Sequence, residues 1–222
     1  MQNKIFFMPF DPNHPSFLSA QYEYGNMGGG MDKNKVQIDH ELAKGNKAFS
    51  AWWNPKKKDP FVSSLNTGQI YIRGHGMPGF KSIEGGRGGE RVDFDEVVDR
   101  LISAGLHKTF SGAIKCYNCH SAENGDPNST DPQAVGGIPF AQRIADELVS
   151  RGYRKCRIFG YYGSIDSFVK DGSEGTHKYV RRRETTGGVT KQVEGGRASE
   201  ARYEFFGRVK PKKPNIFKRM FH

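Results

Sequence analysis

Gln69-Ile70-Tyr71-Ile72-Arg73-Gly74-His75-Gly76 and Gly112-Ala113-Ile114-Lys115-Cys116-Tyr117-Asn118-Cys119-His120-Ser121 decide how this chain folds. Each is a run of branched and aromatic residues, a composition that suits a pleated, half-buried surface. Each runs into a turn. The first ends in a histidine between two glycines, the second in Asn118-Cys119-His120-Ser121. Between them Phe94, Val97, Val98, Leu101 and Ile102 recur at the helical period. That spacing predicts a helix over 94–104, with Asp93 as N-cap, Asp95 and Glu96 in the first turn and Gly105 at the end. Strand, helix and strand in this order make a parallel crossover unit. Such a unit sets His75 and Cys119 side by side at the carboxyl edge of a sheet, where open α/β folds keep their chemistry.

The pattern continues downstream. Pro139 suits the first position of a second helix, to Arg151, whose apolar face is Phe140, Ile144, Leu148 and Val149. Lys155 to Tyr161 reads as a third strand. The order over 69–161 is thus β-α-β-α-β, an α/β fold with a mostly parallel sheet covered by helices. Beyond Gly163, His177 to Glu184 and Val189 to Glu194 flank Thr185-Thr186-Gly187-Gly188 and predict a hairpin. Arg202 to Val209 reads as another strand, and the tail from Lys210 is basic. Upstream, Lys4 to Phe10 suits an edge strand, while prolines and Gly28-Gly29-Gly30 argue against regular structure up to residue 35. Residues 36–53 are weakly helical, and Trp52 and Trp53 suit packing positions. Residues 77–91 form a glycine-rich loop without the Gly-Lys-Ser/Thr of a phosphate-binding loop. The expected organisation is an irregular, part-helical segment over 1–64, an α/β core over 65–165, a β-hairpin extension over 166–209 and a basic tail over 210–222.

Composition narrows the function classes. A chain of 222 residues with 35% hydrophobic content supports one sizeable domain with a conventional core. No apolar run is long enough to cross a bilayer. Ile5-Phe6-Phe7-Met8 is followed by Pro9 and no cleavage pattern, so a Sec signal is not expected. Three cysteines do not make a disulfide framework and suit a reducing compartment. The expected location is the cytoplasm, or a target cell reached by a non-Sec route. A net charge of +10 suits an anionic partner or a basic solvated surface.

A thiol becomes a nucleophile when a base or a positive group favours the thiolate. His75 on the neighbouring strand end can supply that. The backbone N–H groups of Gly76 and Cys119 suit an oxyanion hole, the largest single contribution to many acyl transfers.

The strand ending in Gly74-His75-Gly76, followed one helix later by a strand ending in Cys119, resembles the caspase/gingipain-like (clan CD) cysteine peptidases. That clan includes metacaspases and the self-cleaving protease domains of large bacterial toxins. Cys116-Tyr117-Asn118-Cys119-His120-Ser121 is similar to the metacaspase motif Asp-x-Cys-His-Ser-Gly, with Ala122 at the glycine. The resemblance covers roughly 65–165. It implies a three-layer caspase-like fold and a cysteine endopeptidase, self-cleaving or acting as a bacterial toxin or effector. Cys119 would be the nucleophile, His75 the general base, and Gly76 and Cys119 the oxyanion-hole donors. Tyr117 and Asn118, which stand where metacaspases carry an acid, and Tyr161, Tyr162 and Ser164 would meet the substrate. No metal or organic cofactor is implied. The toxin branch is activated by inositol hexakisphosphate on a basic face, a role that Arg181, Arg182 and Arg183 would suit.

Rival readings remain. Cys116-x-x-Cys119-His120 is a literal c-type haem attachment pattern, although it falls at a strand end. Zinc on Cys116, Cys119 and His120 lacks a fourth ligand cluster. A thioredoxin-like role would need a helix to open at the motif. The non-enzyme alternative is a basic module that binds nucleic acid or another polyanion, for which charge and aromatics suffice but no motif is present.

Overall fold

A computed structural model of the chain describes residues 3–13, 33–86, 89–125, 136–166, 170–172, 175–186 and 188–208. The Gly28-Gly29-Gly30 run, Asp126-Pro127-Asn128 and the basic tail lie outside these residues. In chain order the elements are β1 (Asn3–Met8), α1 (Lys33–Ala43), β2 (Lys47–Trp52), α2 (Pro60–Ser63), β3 (Gln69–Arg73), β4 (Ser82–Glu84), β5 (Arg91–Asp93), α3 (Phe94–Ser103), β6 (Ala113–Tyr117), α4 (Phe140–Ser150) and β7 (Arg157–Tyr161). There follow β8 (Ser164–Ile165), β9 (Lys170–Gly172), β10 (Gly175–His177), β11 (Tyr179–Thr186), β12 (Val189–Arg197) and β13 (Arg202–Phe205).

The protein is α/β, organised on a six-stranded sheet in the order β13-β7-β6-β3-β1-β2. All its pairings are parallel except β13 on β7, which is antiparallel. Strict alternation builds the two faces. Ile70 and Ile72 of β3, Ile114 and Cys116 of β6 and Ile158 of β7 point one way, into a core completed by Val97, Val98 and Leu101 of α3 and Ile144 and Leu148 of α4. Tyr71, Tyr117 and Tyr161 point the other way, beside Phe6, and are covered by Val180 of β11, Ala198 and, from α1, Ile38. Their rings form a row across the sheet. Phe6 stacks on Tyr71 at 5.0 Å, Tyr71 meets Tyr117 edge-on at 5.3 Å, and Tyr117 meets Tyr161 at 5.1 Å. Ring pairs at such spacings add about 0.5–1.5 kcal/mol each beyond their burial.

Several expectations need correction. The segment expected at the sheet edge, Lys4 to Phe10, is an inner strand. β1 pairs with β2 on one side and β3 on the other, because four consecutive buried residues from Ile5 to Met8 give it two covered faces. Residues 36–53 are not one weak helix. α1 ends at Ala43, Gly45 turns the chain at φ +75°, and β2 buries Ala51 in the core on one face and Ala48 against the aromatic row on the other. The sheet therefore extends beyond 65–165 on both sides. Asp93 stands at the N-terminus of α3 but makes no side-chain cap; its carboxylate pairs with Lys81 at 2.6 Å. Pro139 precedes α4 as its N-cap residue. The hairpin forms, with Thr186 opposite Val189. The glycine-rich loop carries an antiparallel ladder, β4 on β5, anchored by buried Ile83 and Val92. Of Arg202 to Val209, Arg202–Phe205 forms the strand β13.

Candidate active site

β3 and β6 lie side by side and end in step: their last paired residues are Arg73 and Tyr117. His75 stands two residues beyond the first, Cys119 two beyond the second. The turns that follow press together. A Cβ on Gly76 would fall 2.4 Å from Nδ2 of Asn118 and 2.6 Å from the Cys119 carbonyl oxygen. The backbone after His75 thus rests on that around Cys119, as only glycine allows. His75 is pinned through its backbone: its N–H donates to Glu84 O at 2.7 Å, and the Glu84 N–H donates back at 3.0 Å. Its side chain lines a cavity of about 400 Å³ with Gly76, Met77, Phe80, Ser82, Glu84 and Arg91. The last two form an ion pair. Cys119 is not among the walls of this cavity.

The turn after β6 is sewn to β7. The buried Ser121 hydroxyl donates to Cys116 O at 2.7 Å and accepts the Tyr161 N–H at 2.9 Å. His120 takes the left-handed conformation at φ +58° and donates its N–H to Gly163 O at 2.9 Å. The two loops then meet in a glycine seam. Gly79 donates its N–H to Glu123 O at 3.0 Å, and a Cβ on Gly79 would fall 1.6 Å from Gly125 O. Gly137 joins them: a Cβ on it would lie 2.3 Å from the same oxygen and 2.8 Å from Gly79 Cα.

Cys119 is half-buried, and its thiol donates to Ile165 O in a long contact of 3.9 Å. Burial pushes the thiol up from its ordinary value. Hydrogen bonds with the Ile165 backbone and the Ser164 hydroxyl, and the positive charge of Arg73, push the other way. Next to it lies a constellation the sequence reading did not assemble. His120 Nδ1 is 2.9 Å from Glu123 Oε1, and its Nε2 is 2.9 Å from Ser164 Oγ. Glu123 also accepts the Gly163 N–H. The usable signal was His120-Ser121-Ala122-Glu123, a histidine and a carboxylate three residues apart, which a tight turn brings together.

Other site residues are placed differently from expectation. Tyr117 and Tyr161, expected to meet substrate, are buried in the aromatic row because their strand parity turns them under the hairpin. Asn118 is buried against Gly76, and its Oδ1 has no hydrogen-bond partner among the described residues. Tyr162 is exposed and packs edge-on against Tyr203 at 6.4 Å. Arg181 pairs with Asp166 at 2.9 Å, Arg182 is exposed, and the Arg183 side chain lies outside the described residues. Cys116 is sealed in the core, where burial pushes its thiol far up, so the structure does not gather Cys116, Cys119 and His120 on one face. Among the described residues, no group of three or more His, Cys, Asp and Glu side chains could hold a metal. No helix among them is long and apolar enough to cross a membrane. Compared with known proteins, the chain matches no family model and no curated protein.

Proposed function

We propose that the protein is a cysteine endopeptidase of the caspase-like type, with Cys119 as nucleophile and His75 as its proton-transfer partner. The observation that carries this reading is the register of β3 and β6, which sets the two residues at equal steps beyond a directly paired Arg73 and Tyr117. The contact between Gly76 and the Cys119 carbonyl supports it. So does the mostly parallel sheet, whose order is compatible with a caspase-like fold. In this mechanism the Cys119 thiolate attacks the peptide carbonyl and expels the amine. His75 delivers a proton to the leaving nitrogen, and water then hydrolyses the thioester. The N–H groups of Gly76 and Cys119 are the donors proposed for the developing oxyanion. The cavity beside His75 offers the apolar Met77 and Phe80 and the ion-paired Glu84 and Arg91 to a substrate side chain.

Intact mass spectrometry after brief, limiting iodoacetamide treatment tests the proposal together with turnover of a mixed peptide library. Selective labelling and peptide cleavage are expected in the native chain, and both should vanish in Cys119→Ala. Slow, even labelling of all three cysteines, with no cleavage, would move the reading to the basic binding module. A mass raised by covalent haem would end both.

A further inference from the structure

We propose that Ser164, His120 and Glu123 form a second nucleophilic site, a serine triad that cleaves esters with good leaving groups. It stands apart from the peptidase reading and takes nothing from Cys119, whose thiol donates to Ile165 O.

The order of the three groups follows from what each can accept. A carboxylate only accepts hydrogen bonds. Glu123 Oε1, 2.9 Å from His120 Nδ1, therefore requires a proton on that nitrogen. Nε2 of the neutral ring then carries the lone pair, and the Ser164 hydroxyl 2.9 Å away is its donor. Serine donating to histidine, and histidine to a carboxylate, is the arrangement that activates a hydroxyl in hydrolases of unrelated folds. It is known by geometry and not by order in the sequence. His120 is thus the base for Ser164, and Glu123 positions the ring. The site is open to a small molecule: Ser164 is half-buried, and the side chains of His120 and Glu123 keep 21% and 28% of their exposure.

The backbone holds the three in place. His120 takes the left-handed conformation at φ +58°, with its N–H on Gly163 O, and the Gly163 N–H returns to Glu123. Gly163, at φ +76°, lies so close to β11 that a Cβ on it would fall 2.6 Å from Arg181 O. Ser164 follows, paired with Arg181 in the ladder of β8 on β11. The turn and the strand end are locked together before a substrate arrives, so little ordering is left for the reaction step.

The same bonds set the substrate class. The Tyr162 N–H is taken by Ala201 O and the Gly163 N–H by Glu123. The two amides just before the nucleophile are therefore not oxyanion donors, and each such donor is worth about 10²–10³ in rate. Aryl esters and thioesters, whose leaving groups depart readily, tolerate that loss; a peptide does not. Ser164 Oγ forms a bond to the acyl carbon as its proton passes to His120 Nε2. The bond to the leaving oxygen or sulfur breaks, and that atom takes the proton from the imidazolium. Water, deprotonated by His120, then cleaves the acyl-serine to the free acid and restores the hydroxyl.

The test treats the full chain with an alkyl fluorophosphonate and maps the product by peptide mass spectrometry. The serine oxygen bonds to phosphorus, fluoride leaves and the proton goes to His120. A phosphonyl adduct is expected at Ser164 and at no other serine. His120→Asn, which suits the left-handed backbone, should slow that adduct by about a hundredfold or more. Glu123→Gln should lower the limiting rate at least roughly tenfold with the half-saturating reagent concentration unchanged, a split that a merely loosened turn would not produce. No adduct at Ser164 in the native chain overturns the triad, as does an adduct that forms at the native rate in His120→Asn. If that variant loses its near-UV circular dichroism, Glu123→Gln decides in its place. An adduct in a chain that cleaves no peptide leaves the triad standing and removes the peptidase reading. Cleavage without the adduct does the reverse.

Discussion

Gly76 has no room for a side chain, and this makes it the sharpest single-residue probe of the site. Gly76→Ala places a methyl carbon 2.6 Å from the Cys119 carbonyl, which is backbone and cannot swing away. The variant is expected to lose about 1–3 kcal/mol of stability, as overpacked sites do. It should lose on the order of a hundredfold in peptide cleavage, as reacting groups displaced by about an ångström do. Trimming Asn118 to alanine as well should not restore activity, since the carbonyl contact remains. Thermal unfolding and cleavage rates on the two variants check this. Lys115 offers a second residue-level prediction. Its Nζ is buried on the aromatic face, where it donates to Gln69 Oε1 at 2.7 Å and to the Tyr71 hydroxyl at 3.0 Å. Burial, aided by the charges of Arg202 and Lys4, lowers its pKa to about 7, against the slight opposition of Glu41. The unfolded chain holds this proton up to the ordinary lysine range, and the folded chain releases it earlier. Between about pH 7 and 10 the unfolded state thus binds more protons, and this group makes stability rise with pH. Lys115→Met should gain most over the native protein below pH 7. Its advantage should shrink by about 1–2 kcal/mol by pH 9, measured by urea unfolding at the two pH values.

Ser121 joins two elements rather than two atoms. Its hydroxyl satisfies Cys116 O at the end of β6 and the Tyr161 N–H at the end of β7, both buried. Ser121→Ala leaves two backbone groups without partners, so a loss of about 2–4 kcal/mol in urea unfolding is expected. Labelling of Cys119 should become less selective in the same variant. At this scale much was legible in the sequence. The periodicity of Phe94, Val97, Val98 and Leu101 located α3, and the branched residues of 69–73 and 113–117 located the two strands that carry the site. What escaped has physical causes. β1 was read as an edge because its four buried residues lack alternation, the mark of a strand covered on both faces. β2 was hidden because its small buried residues, Ala48 and Ala51, carry little β signal. The burial of Tyr117 and Tyr161 depends on the hairpin that arrives from later in the chain, which local pattern does not encode. The Ser164–His120 contact joins residues 44 apart in sequence, so only the fold could place it.

Over the whole molecule the charge is +10, and a polyanion such as inositol hexakisphosphate is the activator the proposed family resemblance implies. At low ionic strength it should raise the unfolding midpoint in proportion to its occupancy, and the shift should fade as salt is added. Arg182→Ala should weaken the shift, whereas Arg181 is already engaged with Asp166 and should matter less. Absence of any shift at low salt would remove this ligand from the scheme. The glycine seam has a mechanical consequence. Gly79, Gly125 and Gly137 bring the loop that follows His75 and the loop that follows Cys119 into main-chain contact, with Pro78 packed against Gly125. Main chain pressed on main chain gives way less than a side chain would, so a displacement of one loop is expected to be passed to the other. A bound substrate that shifts the His75 side should therefore move the Cys119 side as well.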